Sequence, residues 1–134
     1  MKTLKFKEMK YTTHREYNML AMGTFFGYDF FVVSLGSHPC AYIDCGDTPL
    51  NSTQMNRIDC HGGITYESNK LNLPMGEIEG NFIGWDYAHY GDYAGYEELY
   101  PHDLRVADEK RWTTDEMIHE CYYVIDQIND IIRE

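Results

Sequence analysis

The sequence predicts an α+β fold, a mostly antiparallel sheet of about five strands with a short N-terminal helix and a long C-terminal helix packed on one face. Two observations predict it. The C-terminal segment has the apolar spacing of one amphipathic helix. The segments before it are short runs rich in aromatic and β-branched residues, separated by Gly, Pro and Asn. At 134 residues the chain is expected to form a single domain, residues 1–134.

The strands are predicted from alternating or continuous apolar runs at residues 3–7, 25–35, 40–44, 63–68 and 81–87. Between the first two lies TTHREYNMLAMG (residues 12–23), which is predicted as the short helix. Thr13 and Glu16 stand in the relation of a capping box there, and Gly23 would end the helix. Residues 45–57 are predicted to form a polar loop, and residues 88–110 show no clear period.

The C-terminal helix is predicted from TTDEMIHECYYVIDQINDIIRE, with Thr113 as N-cap and Glu116 at the capping-box position. Its apolar residues recur at helical spacing and form one stripe that should face the sheet. The stripe consists of Met117, Cys121, Val124, Ile125, Ile128, Ile131 and Ile132.

The net charge of −11, from 22 acidic and 11 basic residues, limits the classes of partner. It argues against direct binding to nucleic acid or to an anionic membrane, because both are negatively charged. It permits docking on a basic protein surface, and acidic residues dominate the stretch 77–109. The first ten residues lack the apolar core of a signal peptide, so a cytoplasmic location and reduced cysteines are expected.

Candidate metal ligands occur in HGGITY (residues 61–66) and GWDYAHYGD (residues 84–92). His61, Asp86, His89 and Asp92 are predicted to converge on one cation. Imidazole and carboxylate suit Zn²⁺, and they suit Mn²⁺ or Fe²⁺ equally well. The alternative is that the histidines are hydrogen-bonded turn residues and the aspartates cap turns.

Thiols and one more histidine could complete that site, namely Cys60, Cys40 and His38. A separate thiolate-rich site of His38, Cys40, Cys45 and Cys60 is also conceivable, although no C-x-x-C pair supports it. No catalytic residue is predicted, because the chain has neither a nucleophile elbow nor a glycine-rich phosphate loop.

Three motifs in fixed order, GSHPCAYI (36–43), HGGITY (61–66) and GWDYAHYGD (84–92), are followed by an acidic helix. This order resembles small proteins encoded by phages and prophages of Gram-positive bacteria, including the type II-A anti-CRISPR class of streptococcal prophages. The resemblance implies a zinc-containing α/β protein with His61, Asp86, His89 and Asp92 in the shared polar motifs. This chain departs from the pattern by lacking a cysteine between Asp86 and His89, and in the spacing around His38.

The resemblance also implies a function, which is inhibition of the type II CRISPR effector nuclease in the cytoplasm of the infected bacterial host. The chain would bind the nuclease through an acidic surface and prevent target DNA loading. Glu97, Glu98, Asp108 and Glu109 are the expected contact residues. The alternative is a metal-dependent hydrolase or sponge that acts on a phosphorylated immune signalling molecule, against which the negative charge counts.

Overall fold

The computed structural model describes residues 18–34, 38–89 and 112–133, and in these segments the predicted α+β class is confirmed. All strand pairs are antiparallel, in the order β1-β2-β3-β5-β4. The strands are β1 (Asn18–Phe25), β2 (Tyr28–Ser34), β3 (Pro39–Asp44), β4 (Tyr66–Leu73) and β5 (Gly76–Asp86), and the helices are α1 (Ser52–Asn56) and α2 (Thr114–Arg133).

The main core lies between the sheet and α2. Alternate residues of the three central strands face the helix, because side chains in a strand alternate between the two faces. The strand residues buried there are Phe30, Val32, Ala41, Ile43, Ile83 and Trp85. They meet the predicted apolar stripe of α2, of which only Ile132 is exposed. Burial of each Val, Ile, Phe or Met side chain among them stabilises the fold by about 1.5–3 kcal/mol.

The opposite face of the sheet carries a second buried cluster, which includes Phe31, Val33, Tyr42, Ile78 and Phe82. The centre of β2 is therefore buried on both faces. This double burial explains why its sequence is a continuous apolar run without alternation.

The predicted N-terminal helix is wrong over residues 18–23, which lie in β1. The residues Met19 to Met22 favour helix by intrinsic propensity, but that preference is weak and tertiary pairing overrides it. Here β1 pairs with β2 from Asn18 opposite Ser34 to Phe25 opposite Tyr28. Residues 12–17, with Thr13 and Glu16, and the predicted strand 3–7 lie outside the described residues.

Several predicted boundaries also shift. The run 25–35 is divided by a two-residue turn at Phe26 and Gly27, whose φ angles of 49° and 81° fit a tight hairpin. The predicted polar loop contains α1, which Asn51 and Gln54 cap reciprocally. The strand predicted at 63–68 begins only at Tyr66, and the strand predicted at 81–87 begins already at Gly76.

The beginning of α2 and the strand β3 agree with their predictions. Thr113 Oγ1 accepts the Glu116 N–H at 3.1 Å, and Glu116 Oε1 accepts the Thr113 N–H at 3.1 Å, which is the predicted capping box. Neither α1 nor α2 combines the length and the apolar character needed to cross a membrane.

Candidate functional site at the His61 turn

The His61 turn, residues 59–63, joins α1 to β4 and is closed by the Gly63 N–H, which donates to the Cys60 carbonyl at 3.0 Å. Gly62 and Gly63 have φ angles of 71° and 79°, the left-handed region that favours glycine. Gly62 also allows His89 to come close, since a Cβ there would lie 2.0 Å from His89 Nε2. The paired glycines therefore permit both the turn and the close approach of a second histidine.

Three polar side chains of α2 position this turn, and two of them hold Asp59. Gln127 accepts the Asp59 N–H at 2.7 Å through Oε1 and donates to the Asp59 carbonyl at 2.8 Å through Nε2. Tyr123 donates its hydroxyl to Asp59 Oδ2 at 3.0 Å. Residues spaced by three or four in a helix share a face, so these side chains form one polar ridge beside the apolar stripe.

The third member of the ridge, Glu120, connects the turn to the end of β5. Its Oε2 accepts the His61 N–H at 3.0 Å. Its Oε1 accepts the Trp85 indole N–H at 3.0 Å and the Tyr87 hydroxyl. Burial raises the pKa of Tyr87 well above its usual range, and the hydrogen bond to Glu120 adds to this shift. One carboxylate thus organises three donors from two separate parts of the chain.

Aromatic rings surround the His61 imidazole. It stacks on Tyr87 with ring centroids 5.2 Å apart and an interplanar angle of 10°. Trp112, just before α2, lies 4.8 Å from His61 and 4.9 Å from Tyr87 between ring centroids. The backbone hydrogen bond to Glu120 and the contacts of the imidazole ring together hold His61 in position.

Among the four predicted metal ligands, His89 lies close both to His61 and to Asp86. The rings of His61 and His89 are edge to face with centroids 5.3 Å apart. His89 Nε2 lies 3.2 Å from Asp86 Oδ1. The same Asp86 oxygen accepts the Ala88 N–H at 3.2 Å, so the turn-capping role considered as the alternative is present too.

The metal site itself stays a prediction. Across residues 18–34, 38–89 and 112–133, no three His, Cys, Asp or Glu side chains form a group that could hold a metal ion. The fourth predicted ligand, Asp92, lies outside these residues. So do the predicted partner contacts Glu97, Glu98, Asp108 and Glu109.

Burial raises the pKa of each of the four cysteine thiols. Burial raises the pKa of Cys60 to about 12, with further contributions from Glu120 and Asp59. Burial likewise raises the pKa of Cys40, which lies opposite Asp86 across β3 and β5, to about 11. Cys40 belongs to the second cluster, whereas Cys45 belongs to the main core on the other face and the partly buried Cys60 packs against that core. His38 lies just before β3.

A hollow of about 420 Å³ lies between α1 and the start of β4 and reaches the His61 turn at Gly63. Its walls include Ile58, Ile64 and Thr65, and Glu67 is its only charged lining residue. This lining contains no His, Cys or Asp side chain.

Sequence reasoning found His61, Asp86 and His89 but missed Glu120, Tyr123 and Gln127. Their signal was the helical spacing of 120, 123 and 127 beside the apolar stripe, a pattern that is also typical of a solvent-exposed face. No family model, curated protein or solved structure matches this chain.

Proposed function

We propose that this protein is an inhibitory interaction protein that docks through its acidic surface on a basic surface of another protein. Following the motif resemblance, the proposed partner is the type II CRISPR effector nuclease in the host cytoplasm. The proposed effect is that target DNA can no longer load onto the nuclease. Such a nuclease carries its guide and target in a positively charged channel, which an acidic protein of this size can obstruct.

The observation that carries this proposal is the excess of acidic over basic residues in the described part of the chain. Within residues 18–34, 38–89 and 112–133 the only Lys and Arg residues are Arg57, Lys70 and Arg133. The exposed acidic residues there are Asp47, Asp59, Glu67, Glu79, Asp115, Asp126 and Asp130. A surface with this charge attracts basic partners over distances of about a Debye length, which is roughly 8 Å at physiological salt.

A structural zinc ion is the second part of the proposal, with His61, His89, Asp86 and Asp92 as its ligands. Two neutral imidazoles and carboxylates are an ordinary donor set for zinc. The closeness of His89 to His61 and to Asp86 supports this assignment. A cation here would tie the His61 turn to the end of β5, and elemental analysis of the purified protein measures its presence and ratio.

The decisive experiment is a pull-down of guide-loaded nuclease, with target DNA loading measured in parallel at low and high salt. One variant reverses Glu97, Glu98, Asp108 and Glu109 to lysine. A matched control reverses Asp47, Asp115, Asp126 and Asp130, which changes the net charge equally elsewhere on the chain.

We expect binding to weaken with salt and the first variant to lose more binding than the control. Equal losses would make the effect one of total charge, and unchanged binding in both variants would end the docking proposal. Turnover of a phosphodiester substrate that disappears in His61→Ala would favour the hydrolase alternative instead.

A further inference from the structure

The strand β1 forms one edge of the described sheet, and no described strand pairs with its outer side. Such an edge offers backbone N–H and C=O groups to any strand that approaches it. A bulge between Met19 and Ala21 distorts the first part of the strand. From Ala21 to Phe25 the register with β2 is regular, so this part remains suited to pairing.

The composition of β1 is unusual for an exposed edge. Its sequence, NMLAMGTF, has no charged residue and no proline, whereas each of the other four strands contains at least one Asp or Glu. Charged residues and proline are the usual protection of an edge strand against pairing. In a protein with a net charge of −11, this is a strand along which two copies can meet without opposing carboxylates.

Apolar side chains are exposed along the same strand and its hairpin tip. Leu20, Met22 and Phe26 are 36%, 43% and 63% exposed. Phe26 has a φ angle of 49°, which is uncommon for a bulky side chain and costs free energy. Its ring lies 4.5 Å from that of Phe25 between centroids, which holds it in place at the surface.

From these observations we infer that β1 is a self-association surface, on which a second copy of this chain adds its own β1 antiparallel. A two-fold axis through the strand pair would make the contact self-complementary. It would also bring the exposed apolar side chains of the two copies together. A basic partner is a poorer fit, because β1 offers it no acidic side chain. The inference is therefore independent of the proposed function.

The experiment measures the mass of the full chain in solution by light scattering and sedimentation over a wide range of protein concentration. One added strand makes a small interface, so we expect a reversible dimer of the 15.7 kDa chain with a dissociation constant of about micromolar. Met22→Lys should raise that constant by about tenfold or more, since it places like charges near the axis. Met75→Lys is the matched control, because Met75 is 45% exposed in the turn between β4 and β5.

Amide hydrogen exchange of the segment 21–25 gives a second readout, and its protection should increase with protein concentration. A monomer at every concentration would overturn the inference. So would a dimer that Met22→Lys and Met75→Lys weaken equally, or one that forms without protecting residues 21–25. A monomeric chain whose nuclease binding is lost in Met22→Lys would assign the edge to that partner and reject the second copy.

Discussion

The His61 turn and the tip of the β1–β2 hairpin are both short connections, but they are held in different ways. The turn is fixed by α2 side chains that lie 59 to 68 residues away in the chain, through Glu120, Tyr123 and Gln127. The hairpin is held by the pairing of β1 with β2 and by Phe25, which stacks on Tyr122 of α2 with ring centroids 4.3 Å apart, and it leaves an apolar edge exposed. The His61 turn should therefore depend on distant side chains, whereas the tip of the hairpin, Phe26 and Gly27, should depend on its local backbone.

The largest expected effect tests the dependence of the turn on Glu120. Glu120→Ala removes the acceptor of three donors, those of His61, Trp85 and Tyr87. Buried donors without an acceptor cost about 1–3 kcal/mol each, and the Trp85 indole can still donate to the Tyr87 hydroxyl at 3.0 Å. We expect the free energy of unfolding to fall by about 3 kcal/mol in a denaturant titration.

Asp126→Ala is the control for this prediction, because Asp126 is an exposed acidic residue on the same helix. It should change stability by less than about 0.5 kcal/mol. Glu120→Gln should fall between the two, since its single amide oxygen cannot replace both carboxylate oxygens. If Glu120→Ala and Asp126→Ala cost the same, the carboxylate does not hold the turn.

Two neighbouring glycines allow the strain of the turn to be separated from its contact with His89. Gly62→Ala and Gly63→Ala both force alanine into the left-handed region, which should cost about 1–2 kcal/mol in each case. Only at Gly62 would the new Cβ meet His89, while at Gly63 nothing lies within 4 Å.

NMR signals of the His89 imidazole should thus shift strongly in Gly62→Ala and little in Gly63→Ala. If zinc is bound, its retention should fall in Gly62→Ala alone, since displacement of His89 removes a ligand. Similar spectra for the two variants would show that His89 does not pack over Gly62 as the structure has it.

The same contrast explains what could be predicted from the sequence. The apolar stripe and the Thr113–Glu116 cap were predictable because their signals lie within a few residues of each other. The glycines of the turn also gave a local signal. The anchoring role of Glu120 did not, because it exists only when α2 lies beside the end of β5.

The hairpin was missed for a different reason. The helix preference of residues 19–22 concealed the weaker turn signal of Phe26 and Gly27. Residues 19–22 favour helix, and the turn is Phe-Gly where Asn-Gly is the usual sequence. The pairing of β1 with β2 decided the structure against that local preference. The exposed apolar edge follows from this pairing, so an incorrect helix assignment hides it as well.

The smallest expected effect lies at that hairpin. Phe26→Asn should raise the free energy of unfolding by about 0.5–1 kcal/mol, because Asn adopts the left-handed conformation more easily and suits this turn. Loss of the contact with Phe25 offsets part of the gain. The measurement should be made at a protein concentration below that of any self-association, so that only the strain of one chain is observed.

Met75→Asn is the control, since Phe26 is the only described non-glycine residue with a positive φ angle. A gain at both positions would mean that polarity stabilises exposed turns here; a gain at Phe26 alone would locate the strain in the hairpin backbone.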